Sequence, residues 1–160
     1  MPALSDRLAD TAEGQIVELC PAAAPIMAEL GARIAAQGAA LVIDYGGWRS
    51  LGDTFQALRA HVPVDPFATP GAADLTAHVD FEALARAAAP AAHAYTTQGA
   101  MLTALGIAQR SARLAQNLTG SALQSHLAAT HRLTAATEMG TLFKVLAVHP
   151  KRCPPPPGSA

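Results

Sequence analysis

Asp44, Tyr45, Gly46 and Gly47 follow directly on the apolar run Ala40–Ile43. In open α/β sheets ligands lie just beyond the carboxyl ends of strands, and two glycines let backbone approach a ligand closely. An ordinary strand-ending turn would use the same residues. His61 and His78 lie in a long Pro- and Gly-punctuated stretch with Asp53, Arg59, Asp65, Asp74 and Asp80. A histidine among carboxylates is held charged or poised as a base, though a polar loop that hydrogen-bonds itself into shape has the same composition. His126 and His131 fall on different helical faces and miss the spacing of a helical zinc pair, so both read as surface residues; His93 is expected to pack and His149 to end a strand. Neither Gly-x-Gly-x-x-Gly nor Gly-x-x-x-x-Gly-Lys-Ser/Thr occurs, which excludes nucleotide binding by those routes. Ser50, Ser111, Ser121 and Ser125 sit in no Gly-x-Ser-x-Gly elbow, and Cys20 has no evident base. Asn117-Leu118-Thr119, a glycosylation sequon only in a secreted protein, reads as a helix boundary.

The chain of 160 residues carries 11 Lys and Arg against 12 Asp and Glu, a net charge of −1. That balance argues against nucleic acid or an anionic membrane as partner. Alanine, with 38 residues, supplies nearly half of the 51% hydrophobic fraction, so the true core-forming stock is modest. No apolar run approaches the roughly 20 residues of a membrane span. Cys20 and Cys153 suggest neither a disulfide framework nor a zinc site, and no secretory signal is visible, so a cytoplasmic setting is expected.

Positioning the candidate residues falls to alternating elements. Gln15 to Leu19 reads as a brief β-prone run, and Pro21 to Gln37 as a helix carrying Ile26, Met27, Leu30 and Ile34, stopped by Gly38. Ala40 to Tyr45 shows no polar alternation, which suggests a strand buried on both faces with neighbours on both sides. Trp48 to Thr76 reads as mostly loop, with one helical turn around Thr54 to His61. Asp80 should cap a helix whose Val79 and Leu84 form a hydrophobic staple and which stops near Pro90. A strand is expected at Ala91 to Tyr95. Helices follow from Thr97 to Gly106, on to about Gln116, and from Ser121 to about Ala136, the last with Leu123, Leu127 and Thr130 on one side. Thr141 to Val148 should be a strand, and Pro154 to Pro157 an extended, mobile tail. The tally is α/β with some parallel pairing, and three or four strands leave the one at 40–45 short of a neighbour, as in part of a larger sheet.

Seven blocks in order carry a resemblance: Glu18 to Ala23, Ala40 to Gly46, Gly52 to Arg59, Asp65 to Phe67 with Pro70-Gly71, Ala73 to Phe81, Thr97 to Gly99 with Leu102 and Leu105-Gly106, and Glu138 to Leu146. Together they resemble the MidA-like family of S-adenosylmethionine-dependent methyltransferases, whose mitochondrial members methylate an arginine on a subunit of respiratory complex I. The family looks like a class I methyltransferase with strand order 3-2-1-4-5-7-6. Its glycine-rich donor motif, the acidic residue after its second strand and its Asn-Glu motif all precede the first block, and none has a counterpart here. The resemblance therefore implies the C-terminal half of a Rossmann-like sheet, strands 5, 6 and 7 with flanking helices, over residues 15–150, between an N-terminal segment at 1–14 and a proline-rich tail at 151–160.

It further implies S-adenosylmethionine as cofactor, with a pocket incomplete in this chain, and a protein arginine as substrate once the N-terminal half completes the enzyme. Asp44, Tyr45, Gly46, His61, Asp74, His78 and Asp80 are expected on the substrate side of the cleft, with no catalytic role assigned to any of them. Expected partners are a protein substrate and the chain's own N-terminal half or a second copy. The alternative is a non-catalytic interaction module using the free sheet edge.

Overall fold

A computed structural model describes residues 2–9 and 11–159. Its main sheet has four strands in the order β5-β1-β7-β6, where β1 is Ala40–Gly47, β5 Val79–Asp80, β6 Ala92–Thr97 and β7 Phe143–His149. The last strand in sequence is central and antiparallel to both long neighbours, pairing Ala40 with Val148 through Tyr45 with Phe143, and Ala92 with His149 through Thr97 with Lys144. Parallel pairing is confined to Gly46 with Val79 and Gly47 with Asp80. Over residues 40–45 the other edge of β1 has no partner among the described residues.

The strand buried on both faces is β7, whose Val145, Leu146, Ala147 and Val148 are all 0% exposed. This corrects the expectation for β1, where Leu41 and Ile43 remain 44% and 47% exposed. An unbroken apolar run marks both faces as greasy and does not say which of them this chain covers.

One face is covered by α2 (Ala23–Ala36) and α3 (Phe81–Ala87). Met27, Ile34, Phe81, Ala85 and Ala88 pack with Leu146 and Val148, and Val79 and Leu84 join the same cluster as the expected staple. Asp80 caps α3 by accepting a hydrogen bond from the Ala83 amide at 3.0 Å. Gly31 lets α2 ride on α3, since a Cβ there would meet the Ala88 carbonyl oxygen at 2.0 Å.

Over the other face lie α4 (Gln98–Ala104), α5 (Ile107–Ala115), α6 (Gly120–Thr134) and α7 (Met139–Leu142). Thr97 caps α4 and the left-handed Gly106 separates it from α5. Of the residues read on one side of α6, Leu123 and Thr130 are half-buried and Leu127 is exposed. Thr141 and Leu142 end α7 and do not begin a strand. Of these, α4 and α7 stand against β6 and β7 while α5 and α6 pack on the other helices, and the outer face of β1 is left open. No helix among the described residues is long and apolar enough to cross a membrane.

Four further expectations change. Gln15 to Leu19 forms no strand; a single hydrogen bond from the Gly52 amide to the Ile16 carbonyl, 2.9 Å, ties it down. The stretch read as loop holds a second, antiparallel sheet, β3-β2-β4, with β2 Gln56–Arg59, β3 Val62–Val64 and β4 Asp74–Thr76. The helical turn expected at Thr54 to His61 is β2 and a two-residue hairpin turn, in which Ala60 and His61 both adopt positive φ. Such a turn usually advertises itself with Asn or Gly, which are absent here. Finally, the proline tail is seated: Ser159 is 1% exposed, and Gly158 lies against Leu105 and the Met101 carbonyl of α4.

A short α1 (Pro2–Leu8) precedes all of this, and its Arg7 is buried against Asp80 and the Ser50 carbonyl.

Candidate functional site

The carboxyl end of β1 gathers the most chemistry. Gly46 has φ of +154°, and a Cβ there would fall 2.2 Å from the Val79 carbonyl oxygen, so only glycine lets β1 and β5 touch at this point. That contact sets Tyr45, the last residue before the crossing, beside His78, the last before β5. Their rings meet edge to face with centroids 5.8 Å apart, and Phe143 on β7 meets Tyr45 in the same way at 5.7 Å.

His78 is braced from two distant parts of the chain. Its amide donates to Thr54 Oγ1 at 2.9 Å, while the Thr54 hydroxyl donates to the Glu18 carboxylate. Glu18 also accepts from the amides of Thr54 and Phe55, each at 2.9 Å. Three anchored hydrogen bonds on one carboxylate fix the loop before β2, and through it the backbone of His78.

Asp44 turns its carboxylate onto the Tyr45 amide, 2.8 Å away. Asp80 is committed to the fold: one oxygen caps α3 and the other pairs with buried Arg7. Lys144, across the ladder from Asp44, donates to the Leu142 carbonyl at 3.3 Å and to that of Thr141, at the carboxyl end of α7. Desolvation lowers its ammonium below the ordinary 10.5.

Trp48, just past β1, packs against His93 and Tyr95 at 5.7 and 5.0 Å. Burial raises the Tyr95 phenol above its ordinary 10.0.

The structure thus brings Asp44, Tyr45, Gly46, His78 and Asp80 to one junction. It leaves His61 exposed at the β2–β3 tip and Asp74 exposed on β4, neither in hydrogen-bond, ion-pair or ring contact with Tyr45 or His78 among the described residues. Glu18, Thr54 and Phe143 are participants that the sequence did not single out. Each lies in one of the recognised blocks, but no spacing rule links positions so far apart.

Among the described residues no three His, Cys, Asp or Glu side chains converge as a metal site. Nor do the glycines make an open cradle. Those at close backbone approaches (Gly31, Gly46, Gly99, Gly140) are filled by the chain's own backbone, and those facing open space (Gly14, Gly38, Gly52, Gly71, Gly120) stand singly in separate turns.

Comparison with known proteins gives these features a context. A family model described as "Putative S-adenosyl-L-methionine-dependent methyltransferase" matches residues 1–101. The chain is 39% identical over 139 residues to the mitochondrial protein arginine methyltransferase NDUFAF7 of Xenopus tropicalis, covering 84% of this chain and 32% of that protein. It is 36% identical over 120 residues to the NDUFAF7 homolog of Drosophila melanogaster, covering 71% and 27%. A crystal structure of a Burkholderia thailandensis protein superposes with a TM-score of 0.78 at 33% identity, over 92% of this chain and 42% of that one. Another from the same organism, bound to S-adenosyl-homocysteine, gives 0.76 at 34% identity, over 92% and 41%.

The chain spans about a third of the length of the curated relatives it matches. Those relatives are named as mitochondrial, which overturns the cytoplasmic setting expected above; unpaired cysteines and an unremarkable N-terminus do not distinguish between reducing compartments. By its matched family model, its relatives and its fold, the chain belongs to the MidA-like family of S-adenosyl-L-methionine-dependent methyltransferases.

Proposed function

We propose that residues 15–150 are the carboxyl-terminal portion of a protein arginine methyltransferase domain, active once a donor-binding half with its own strands docks against β1. One observation carries this reading: over residues 40–45, β1 has a bare hydrogen-bonding edge, with Leu41 and Ile43 exposed beside it. An unpaired apolar strand of this kind is a liability that folded proteins cover. The order β1-β7-β6, with β7 antiparallel, corresponds to strands 5, 7 and 6 of the class I sheet. The names of the relatives support a protein arginine as acceptor.

S-adenosylmethionine is the family's methyl donor, and the scattered glycines of this chain do not fit it. In this reading the other half grips the donor, and Asp44, Tyr45, Gly46 and His78 face the acceptor. Asp80 holds the junction together, and His61 and Asp74 stand on the outlying sheet as the rim of the cleft.

Calorimetry with S-adenosyl-homocysteine tests the proposal. The chain alone should give no binding heat, and heat should appear on adding the part of the Burkholderia relative that lies outside the match. Micromolar binding by the chain alone refutes it. The same bare edge supports a second reading, a non-catalytic module that recruits a partner. Stable association with the donor half and no methyl transfer would favour that reading.

A further inference from the structure

Of the six histidines, five have a ring nitrogen engaged or stand in solvent. His126 Nε2 lies 2.9 Å from the Ser111 hydroxyl, His149 Nδ1 3.1 Å from the Pro150 carbonyl, and His131 Nδ1 3.6 Å from Glu138. His61 is exposed on a hairpin tip, and His93 is exposed with its ring against Trp48. His78 differs. It is half-buried, its backbone is tied to Thr54 and its ring leans on Tyr45, yet among the described residues neither ring nitrogen has a hydrogen-bond partner. An imidazole held in place with its nitrogens unspent is what general base catalysis requires. Those nitrogens are not among the buried unpartnered atoms, so they open to solvent where an acceptor substrate can reach them.

We propose that His78 is the proton acceptor for the guanidinium of the acceptor arginine, and that Glu18 is a positioning residue acting on it through Thr54. The inference rests on the arginine-methylation reading. In the step, one Nη–H bond breaks and its electron pair stays on Nη. The proton passes to the free imidazole nitrogen, which becomes imidazolium, and nothing is oxidised or reduced. The flat guanidinium would lie against Tyr45 and Phe143, whose rings already meet at the site. The charged and titratable groups on the surrounding elements are Asp44 and Tyr45 of β1, Lys144 of β7, Asp80 paired with Arg7, and Glu18 itself.

The experiment follows the His78 and Tyr45 ring resonances by NMR in the full chain, titrated with a Gly-Arg-Gly peptide and its lysine counterpart. The arginine peptide should give a saturable shift while the imidazole is neutral and lose it on acidification, because imidazolium cannot accept a proton. Thr54→Val should weaken the response about tenfold by releasing the His78 amide, with Thr54→Ser restoring it. Should Thr54→Val unfold, Glu18→Gln replaces it, since it keeps an acceptor for the two amides and loses the one for the hydroxyl. A missing shift, an equal shift with the lysine peptide, or a response indifferent to pH overturns the base assignment. A wild-type response from the folded Thr54 and Glu18 variants overturns the positioning role. Calorimetry with S-adenosyl-homocysteine does not involve His78, so its failure would count against the two-half reading alone.

Discussion

Replacing Gly46 by Ala sets two costs against each other at the junction that defines the site. The new Cβ would sit 2.2 Å from the Val79 carbonyl oxygen and 2.7 Å from its nitrogen, at a φ of +154°. If β5 stays in place, the overlap must be relieved by moving backbone, at about 1–3 kcal/mol, with roughly 1–2 kcal/mol more for the disfavoured φ. If β5 lets go, the chain loses only two ladder pairs, but Val79 leaves the core and the Asp80 cap on α3 loosens. That route costs about 1 kcal/mol for the cap and about as much for partial exposure of a valine. The first route costs about 2–5 kcal/mol and the second about 2 kcal/mol; the cheaper one sets the loss, which for a domain of this size lowers the melting temperature by roughly 4–8 °C. Calorimetric melting should show that loss, and NMR should show Tyr45 and His78 separating. Gly38→Ala is the control, because Gly38 has φ of +97° and no atom within 4 Å of its Cβ position, so only the backbone cost of roughly 1–2 kcal/mol applies. A Gly46→Ala variant no less stable than Gly38→Ala would refute the close β1–β5 crossing and the site built on it.

Other substitutions probe the support of the site. Asp80→Ala removes a helix cap and one of the partners of the buried Arg7 guanidinium, so urea unfolding should report a loss of about 2–4 kcal/mol; Asp80→Asn, which keeps an acceptor for the Ala83 amide, should lose less. Phe81, 0% exposed, should cost about 3–5 kcal/mol on truncation to Ala, read the same way. Exchanging exposed Leu41 and Ile43 for Gln should shift the chain's own urea midpoint little, by about 0.5 kcal/mol per site, yet abolish association with a donor-binding half in size-exclusion chromatography. Because burial raises the Tyr95 phenol, the folded state keeps a proton that the unfolded chain releases near pH 10.0. Stability should therefore fall as pH rises past that value, and urea midpoints of Tyr95→Phe should flatten the alkaline decline.

Local chemistry was the legible part of this sequence. Asp80 and Thr97 cap helices as their types dictate, Gly106 breaks one, and the apolar runs at 40–45 and 145–148 are strands. What resisted reading depends on partners distant in the chain. Whether Leu41 is buried is decided by where α4 to α7 stand, and nothing in its own neighbourhood records that. Residues 56–76 pair with one another through a turn made by Ala60 and His61, which carry no turn signature. The brace from Glu18 through Thr54 to His78 crosses three segments joined by no periodicity, so His78 could be named from the sequence but the residues that hold it could not.

The central position of β7 has a consequence for how the molecule is made. Both long ladders of the main sheet run through a strand whose first residue is Phe143, so β1 and β6 emerge from the ribosome with nothing between them. Until residues 143–149 are made, the apolar faces of β1 and β6 that meet β7 stay uncovered, and its arrival closes this part of the sheet from the middle.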